Sequence, residues 1–359
     1  MVSPRIDKTS AWRALRAHRA SCRELSISEL FEKDKRRFSE FSLRFDDMVF
    51  DFSKTVLTGE TVSLLCDLAE TAKVSSRRDA MFSGEKVNET ESRAASHTAL
   101  RADRNAVIKC GDDMMSSVIA SREEMLSYVE DCRRGRILSS DGGRFSDVVN
   151  IGIGGSHLGA ALAETSLRSY CRGLRGHFIS GADGAMFDEV MKGLDARRTL
   201  VIISSKTFTT EETMSHAVRA REWLSRRVGA GNVHMHMLAS TSSREVAELF
   251  GIRHIFTTPE SVGGRFSVWG SSGLLPALVL GRRHFLDFLS GARDMDIHFC
   301  TAPLRENLPV MLGLLGVCLK HQLRLQHLLR FHALWYQPIC RLYYIQLGNI
   351  HLVIVLFAS

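Results

Sequence analysis

A glycine turn at residues 152–156, with the sequence Gly-Ile-Gly-Gly-Ser, has the residue types of an anion site. Glycine lacks a Cβ atom, so the chain can bend sharply there and bring its backbone N–H groups against a ligand. The helix that we predict over residues 158–166 adds the positive end of its dipole, which favours an anion. The turn therefore predicts a phosphate site; a tight strand-to-helix connection without a ligand is the alternative.

A dinucleotide site is a second alternative for this turn. That fingerprint requires the spacing Gly-x-Gly-x-x-Gly. Counting from Gly152 gives Gly154 and then His157 where the third glycine belongs. The spacing therefore favours a phosphomonoester over a nicotinamide cofactor.

A second stretch, residues 204–213, reads Ser-Ser-Lys-Thr-Phe-Thr-Thr-Glu-Glu-Thr. The ammonium of Lys206 stands among short hydroxyl side chains at the predicted start of a helix, and this combination suits the oxygens of a phosphate. The alternative is a helix cap, in which hydroxyls satisfy free N–H groups and Glu211 or Glu212 completes a capping box. A cap accounts for one or two hydroxyls, and the stretch contains more.

A third stretch, residues 261–270, places Gly263 and Gly264 directly before Arg265. The two glycines let the backbone approach a ligand while a permanent cation points into the same space. An ordinary surface turn is the alternative interpretation. The stretch is therefore a candidate for a second positive group in the site.

Three basic residues, Arg93, His97 and Arg101, recur every fourth position within residues 77–101. We predict a polar loop followed by a helix for this segment, which would place the three on one helix face. We interpret them as a solvated basic stripe, because charge runs on helices usually face water.

Alternating strands and helices from residue 146 onward would position these stretches. Strand-like apolar runs lie near residues 147–151, 177–179, 199–204, 234–238 and 253–256. The alternation predicts an α/β fold, a doubly wound parallel sheet flanked by helices. Ligands of such sheets bind outside the carboxyl ends of the strands, which the first two stretches follow. Residues 9 to about 70 are predicted to form a helical cover that begins at Thr9 or Ser10 as its cap.

Composition narrows the function classes. The chain has 359 residues, 45% of them hydrophobic, and a formal net charge of +7. Residues 318–359 supply four of the 47 Lys and Arg residues and none of the 40 acids, which leaves +3 on the first 317 residues, too little to favour nucleic acid as a partner. No apolar run near the N-terminus is long enough for a signal peptide or a membrane span, so we expect no membrane partner. The eight scattered cysteines, without Cys-x-x-Cys spacing, predict reduced thiols in the cytoplasm.

Four motifs in order resemble the glucose-6-phosphate isomerase (phosphoglucose isomerase) family, and the resemblance covers roughly residues 40–317. They are Arg-Asp-Ala-Met-Phe-Ser-Gly-Glu-Lys at 78–86, Asn-Ile-Gly-Ile-Gly-Gly-Ser at 150–156, Ser-Lys-Thr-Phe-Thr-Thr-Glu-Glu-Thr at 205–213 and Val-Gly-Gly-Arg-Phe-Ser at 262–267. The resemblance implies a sugar-isomerase (SIS-type) fold of two α/β lobes. It also implies interconversion of glucose 6-phosphate and fructose 6-phosphate without a cofactor or metal, by a cytoplasmic homodimer.

The same resemblance assigns roles to individual residues. Arg265 would stabilise the negative charge of the enediolate as the C2 proton leaves. Glu212 would be a carboxylate behind the substrate contacts, with helix capping as the alternative. The substrate-binding positions implied are Gly155, Ser156, Ser205, Lys206, Thr207, Thr210 and Thr213.

Two departures from the family pattern bear on activity. His157 stands where the family usually has Asp, and the likeness stops near residue 317. The family's later Glu-Ser-Asn-Gly-Lys motif, which carries the catalytic base, does not occur in the sequence, nor do its catalytic histidine and late lysine motifs. We therefore expect a truncated or frameshifted tail and no turnover, because proton transfer needs a base within reach. A regulatory module that binds a sugar phosphate without catalysis is the alternative function.

We expect four segments along the chain. Residues 1–110 form an N-terminal helical region, and residues 111–290 form the first α/β domain, which binds the sugar phosphate. Residues 291–317 begin a second, incomplete lobe. Residues 318–359 form an atypical tail that is out of frame.

Overall fold

The computed structural model describes residues 5–22, 24–103 and 112–322. The predicted atypical tail lies outside the described residues from 323 onward, and residues 318–322 belong to the last helix. The described chain forms two compact units. One contains the residues up to Asp79 and those from Asp294 onward, and the other is Ala80–Arg293. The predicted domain boundaries at residues 110 and 290 stay proposals beside this division.

Helices and strands follow one another along the chain as follows. They are α1 (Ser10–Ser21), α2 (Ile27–Lys33), α3 (Arg37–Glu40), β1 (Ser42–Phe45), β2 (Met48–Asp51), α4 (Gly59–Thr71), α5 (Val74–Phe82), α6 (Asp112–Arg134), β3 (Asp147–Ile151), α7 (Gly155–Ser166), β4 (Arg175–Ile179), α8 (Gly184–Lys192), β5 (Thr199–Ser204), α9 (Glu211–Val228), β6 (Met237–Ser240), α10 (Arg244–Leu249), β7 (His254–Phe256), α11 (Leu274–Leu280), α12 (Arg282–Thr301) and α13 (Leu308–Gln322). Short 3-10 helices include Ser96–Arg101 and Gly264–Trp269.

The first unit begins with the predicted helices but departs from the prediction at a hairpin. Thr9 caps α1 as expected, because its side chain accepts a hydrogen bond from the N–H of Trp12. The prediction that residues 9 to about 70 are helical is wrong for β1 and β2, which pair antiparallel. Leu43 alternates there with polar neighbours, a strand pattern, and Asp46 takes the positive φ of 53° that the reversal needs.

The second unit contains a five-stranded parallel sheet in the order β4-β3-β5-β6-β7. All five predicted strands are present, and β3 and β5 have the predicted bounds. Every residue of β3 and β5 is buried, as expected of strands covered on both faces. Val149 and Val201 belong to a core that includes residues of α8 and α9. Gly176 of β4 faces Leu275 of α11, on the other side. The predicted doubly wound α/β fold is confirmed.

The strand order makes a switch point between β3 and β5. From β3 the chain passes to β4 on one side, then returns to place β5 on the other side. The parallel register pairs Ile151 with Ile203 at the carboxyl ends of the two strands. Because ligands of such sheets bind at this kind of crevice, the pairing puts the first two candidate stretches side by side.

Two further predictions concern membranes and thiols. Across the described ranges, no helix is long and apolar enough to cross a bilayer. The six cysteines that the structure describes are free thiols, at positions 22, 66, 132, 171, 300 and 318.

Candidate functional site

The glycine turn after β3 lies directly against the end of β5. A Cβ atom on Gly152 would be 2.7 Å from the carbonyl oxygen of Ser204, so only glycine permits this approach. Asn150, buried in β3, donates from its side-chain amide to the carbonyl oxygen of Ser156 at 3.0 Å. This bond fixes the first turn of α7 to the strand that leads into it. Gly154 supplies the positive φ, 55°, at the bend.

The third stretch packs on the same turn. A Cβ atom on Gly155 would collide with the carbonyl group of Gly264 and would lie 2.8 Å from the backbone nitrogen of Arg265. The Gly264–Arg265 peptide therefore rests on Gly155 at a distance that no other residue would allow. The backbone of Arg265 therefore lies beside the glycine turn, and the role that the resemblance implies for its side chain stays a prediction.

Lys206 joins the second stretch to the third. Its Nζ donates to the carbonyl oxygen of Glu260 at 2.8 Å, and its own carbonyl oxygen accepts hydrogen bonds from the hydroxyl of Thr241 and the N–H of Ser242. The first stretch thus contacts both of the others, and the second contacts Glu260, the residue directly before the third. Parts of the chain separated by more than 50 positions meet at one edge of the sheet.

The hydroxyls of the second stretch form a local network around a strained turn. Ser205 Oγ accepts from the N–H of Phe208 and lies 3.1 Å from Thr210 Oγ1. Thr207 Oγ1 accepts from the hydroxyl of Thr209 at 2.8 Å. Phe208 has a φ of 56°, unusual for a residue with a side chain, and its side chain is buried. The turn leaves Lys206 half-buried and Thr207 exposed beside a buried phenyl ring.

The two helices that follow β3 and β5, α7 and α9, have no side-chain cap. Gly154 at the start of α7 cannot supply one, and Thr210 at the start of α9 makes no capping hydrogen bond. By contrast, Asp183 caps α8 in the same unit. The capping alternative for residues 204–213 is therefore wrong, because the Thr210 hydroxyl pairs with Ser205 instead. In α9 the N–H groups of the first turn make no backbone hydrogen bond among the described residues and stay available to an anion. In α7 the N–H groups of Ser156 and His157 already donate to the carbonyl oxygens of Ile153 and Gly154.

Charge and burial differ among the candidate side chains. The side chains of Arg265 and Glu212 are exposed, and among the described residues Arg265 forms no ion pair. Thr213, in the first turn of α9, is 1% exposed, and its Oγ1 has no hydrogen-bond partner within the described ranges. His157 packs edge-to-face on Phe178, and burial lowers the pKa of its imidazole. Burial therefore favours the neutral form of this histidine.

The predicted basic stripe at residues 93–101 is wrong. Arg93 is not in a helix: it bridges to Asn88 and lies 3.6 Å from a carboxylate oxygen of Glu260. His97 and Arg101 lie in the 3-10 helix and are only 3% and 1% exposed. Local sequence could not reveal this, because burial of these polar side chains comes from packing against the third stretch.

Comparisons with known proteins point to a single family. The profile of a family described as Phosphoglucose isomerase matches residues 51–336. A glucose-6-phosphate isomerase of Cereibacter sphaeroides is 44% identical over 306 residues, which cover 85% of this chain and 57% of that protein. One of Methylocella silvestris is 43% identical over 317 residues, 87% of this chain and 58% of that protein.

A solved structure supports the fold. The crystal structure of a glucose-6-phosphate isomerase from Chlamydia trachomatis matches with a TM-score of 0.78 at 24% identity, covering 89% of this chain and 61% of that one. The chain thus spans a little more than half the length of the curated relatives it matches. The family match continues past residue 317, and the predicted change of sequence near that position stays a prediction.

Proposed function

This chain belongs to the phosphoglucose isomerase family, and from that premise we propose that its second unit binds glucose 6-phosphate and fructose 6-phosphate. The reaction we propose for the whole protein is their interconversion, in glycolysis and gluconeogenesis. The observation that supports this most is the mutual contact of the three stretches at the carboxyl ends of β3 and β5. These contacts bring together two helix starts without side-chain caps, the ammonium of Lys206 and the peptide that carries Arg265.

The phosphate would bind at the second stretch. Its oxygens would accept from the N–H groups of the first turn of α9 and from the hydroxyls of Ser205, Thr207 and Thr210. Lys206 would exchange its bond with the Glu260 carbonyl for a bond with the phosphate. The buried hydroxyl of Thr213 adds a donor in the same turn. Each element contributes donors that folding has already oriented.

The sugar would extend toward the glycine turn and the third stretch. Gly155 and Ser156 would contact it with little side-chain bulk between backbone and ligand. Arg265 would stabilise the enediolate, whose charge develops as the C2 proton leaves. Glu212 is exposed in the first turn of α9, and a role behind the substrate contacts stays a proposal for it.

Proton abstraction from C2 requires a base within hydrogen-bond reach. The resemblance gives this role to a glutamate in a Glu-Ser-Asn-Gly-Lys motif that the printed sequence does not contain. We therefore propose that the residues described here bind and orient the substrate, and that proton transfer belongs to the whole family protein. A homodimer and a cytoplasmic location are further proposals that rest on the family.

Calorimetry on the purified chain tests this function. We expect fructose 6-phosphate to bind, inorganic phosphate to compete with it, and fructose to bind at least about a hundredfold more weakly, since it lacks the charge-assisted contacts. Equal affinity for fructose and fructose 6-phosphate would remove the phosphate site from the proposal.

A further inference from the structure

We propose that His97 is a positioning residue for Arg265, acting through the ring of Phe266. This inference rests on the proposed function, since it concerns the cation that would stabilise the enediolate. The sequence indicates no such role, because the spacing of His97 predicts a solvated basic stripe. In the structure it is 3% exposed and lies beneath the third stretch.

The start of the 3-10 helix Ser96–Arg101 contacts the third stretch at two points, Ser261 and Phe266. The His97 ring stacks on Phe266, the residue after Arg265, with 4.7 Å between ring centroids and 30° between planes. The N–H of Ser96 donates to the carbonyl oxygen of Ser261 at 3.2 Å, at the start of the stretch. Both contacts limit where the intervening backbone, and hence Arg265, can lie.

The 3-10 helix that carries His97 is itself fixed by contacts near its C-terminal end. The guanidinium of Arg101 lies over the ring of Trp269, 5.3 Å from its centroid. Arg122 of α6 donates to the carbonyl oxygens of Leu100 and Ala102 at 3.3 and 2.9 Å. Because protein interiors are close-packed and do not deform freely, these contacts restrain the His97 ring, and the ring in turn restrains Phe266.

On the opposite side, the Gly264–Arg265 peptide rests on Gly155. Ser267 Oγ donates to the Gly264 carbonyl oxygen at 2.7 Å and closes the 3-10 turn. The peptide that carries Arg265 is thus held between the glycine turn and the His97–Phe266 stack. The backbone contacts therefore fix where the Arg265 side chain begins, and its exposed guanidinium forms no ion pair in the described part of the chain.

A cation fixed before the reaction favours the developing charge without further reorganisation. If His97 serves this purpose, its loss must weaken binding of an enediolate mimic more than binding of the substrate. If His97 had only a structural role, its loss would weaken binding of the mimic and of the substrate equally, or would weaken neither. This ratio of affinities separates a positioning role from a role in stability alone.

The test measures two dissociation constants by calorimetry on the full chain. The probes are fructose 6-phosphate and a hydroxamate analogue of the enediolate that keeps the terminal phosphate. For His97→Leu, which removes the flat ring but keeps its bulk, we expect analogue binding to weaken roughly three- to tenfold and fructose 6-phosphate binding to change less than twofold. His97→Phe restores a ring and should restore analogue affinity.

His236→Leu is the matched control. His236 is also a buried histidine packed on a phenylalanine, Phe145, but it hydrogen-bonds to Thr199 at the amino end of β5, away from the site. We expect its affinity ratio to equal that of the parent. If His97→Leu does not fold, Phe266→Leu breaks the same stack from the other side.

An unchanged ratio in the folded stack variant, or equal losses for both ligands, overturns the role of His97 while the proposed function stands. If the parent binds neither ligand, the proposed function fails and this inference fails with it. Three results together support the assignment. The parent binds both ligands, the ratio of the two affinities changes only in the variants that break the stack, and His97→Phe keeps the parental ratio.

Discussion

Lys206 and Glu260 are 54 positions apart in sequence, and the ammonium of one donates to the carbonyl oxygen of the other at 2.8 Å. This bond places the only lysine of the second stretch at the edge of the third. A neutral carbonyl is a weaker partner for an ammonium than an anion, so an incoming phosphate can replace it at little cost. The bond therefore keeps the cation close to the site while the site is empty.

Replacing Lys206 by alanine should weaken fructose 6-phosphate binding about tenfold or more, because a charge-assisted contact contributes roughly 1.5 to 3 kcal/mol. Calorimetry gives both dissociation constants. Lys192→Ala, which removes an exposed lysine at the end of α8, is the control and should bind like the parent. Equal affinity of Lys206→Ala and parent would remove Lys206 from the site.

Gly155→Ala should disturb the site through shape alone. The new methyl group would overlap the Gly264 carbonyl, so the third stretch must move away from the turn. We expect a loss of about 1–3 kcal/mol in unfolding free energy, the usual cost of overpacking, and weaker sugar-phosphate binding. Urea denaturation and calorimetry measure the two effects. Gly193→Ala, where nothing lies within 4 Å of the added methyl, is the control.

Gly155→Ala with parental stability and parental affinity would contradict the close packing of the two loops. A loss of stability without a loss of affinity would leave the packing in place but separate it from the ligand site.

Arg265→Lys should reduce turnover while leaving ground-state affinity nearly unchanged. A lysine keeps the charge but loses the planar fork of donors that can hold two enediolate oxygens at once. The measurement needs a version of the protein that carries the family's Glu-Ser-Asn-Gly-Lys motif, in which the turnover number should fall and the Michaelis constant should not. A changed Michaelis constant with an unchanged turnover number would indicate uniform binding and refute the role.

His236 should make the fold sensitive to acid. Its Nδ1 lies 3.0 Å from the Thr199 carbonyl oxygen and must donate to it, and its Nε2 lies 3.3 Å from the N–H of Ser140 and must accept. Only the neutral ring does both. Burial lowers the pKa of His236 below its ordinary value of 6.5, so the unfolded chain takes up the proton first as the pH falls.

The unfolding free energy should therefore decrease as the pH drops through about 6.5 and toward the lower folded pKa, by at most about 1.4 kcal/mol per pH unit from this group. Urea denaturation at pH 7.5 and 5.5 measures it. His236→Gln should show a smaller pH dependence than the parent, and His284→Gln, whose side chain is 38% exposed, should not. Identical pH dependence in His236→Gln and parent would refute the assignment.

The purified 359-residue chain should bind fructose 6-phosphate without converting it. The proposed binding residues lie within one unit of the fold, whereas the base motif that the family resemblance implies does not occur in the printed sequence. A coupled assay for glucose 6-phosphate, with a complete family member as the positive control, measures turnover. Turnover at the control's level would contradict the prediction and would require a base among the residues of this chain.

The sequence alone predicted the second unit well, because the signals there are local. The apolar runs that became β3 and β5 end where turn residues begin, and each strand has the predicted bounds. The three glycines at positions 152, 154 and 155 marked a place where the backbone needs a positive φ or a close approach. The residue types of the three stretches likewise indicated an anion site before any contact between them was known.

Only the tertiary structure decided which of these residues meet. The strand order places β5 beside β3, so that Ser204 touches Gly152, and packing brings Gly264 onto Gly155. His97 and Arg101 have the sequence pattern of an exposed stripe, yet they are buried beneath the third stretch. Periodicity records only the neighbours along the chain, whereas burial depends on surfaces that distant segments supply, and that is why the sequence predicted the loops but not the support beneath Arg265.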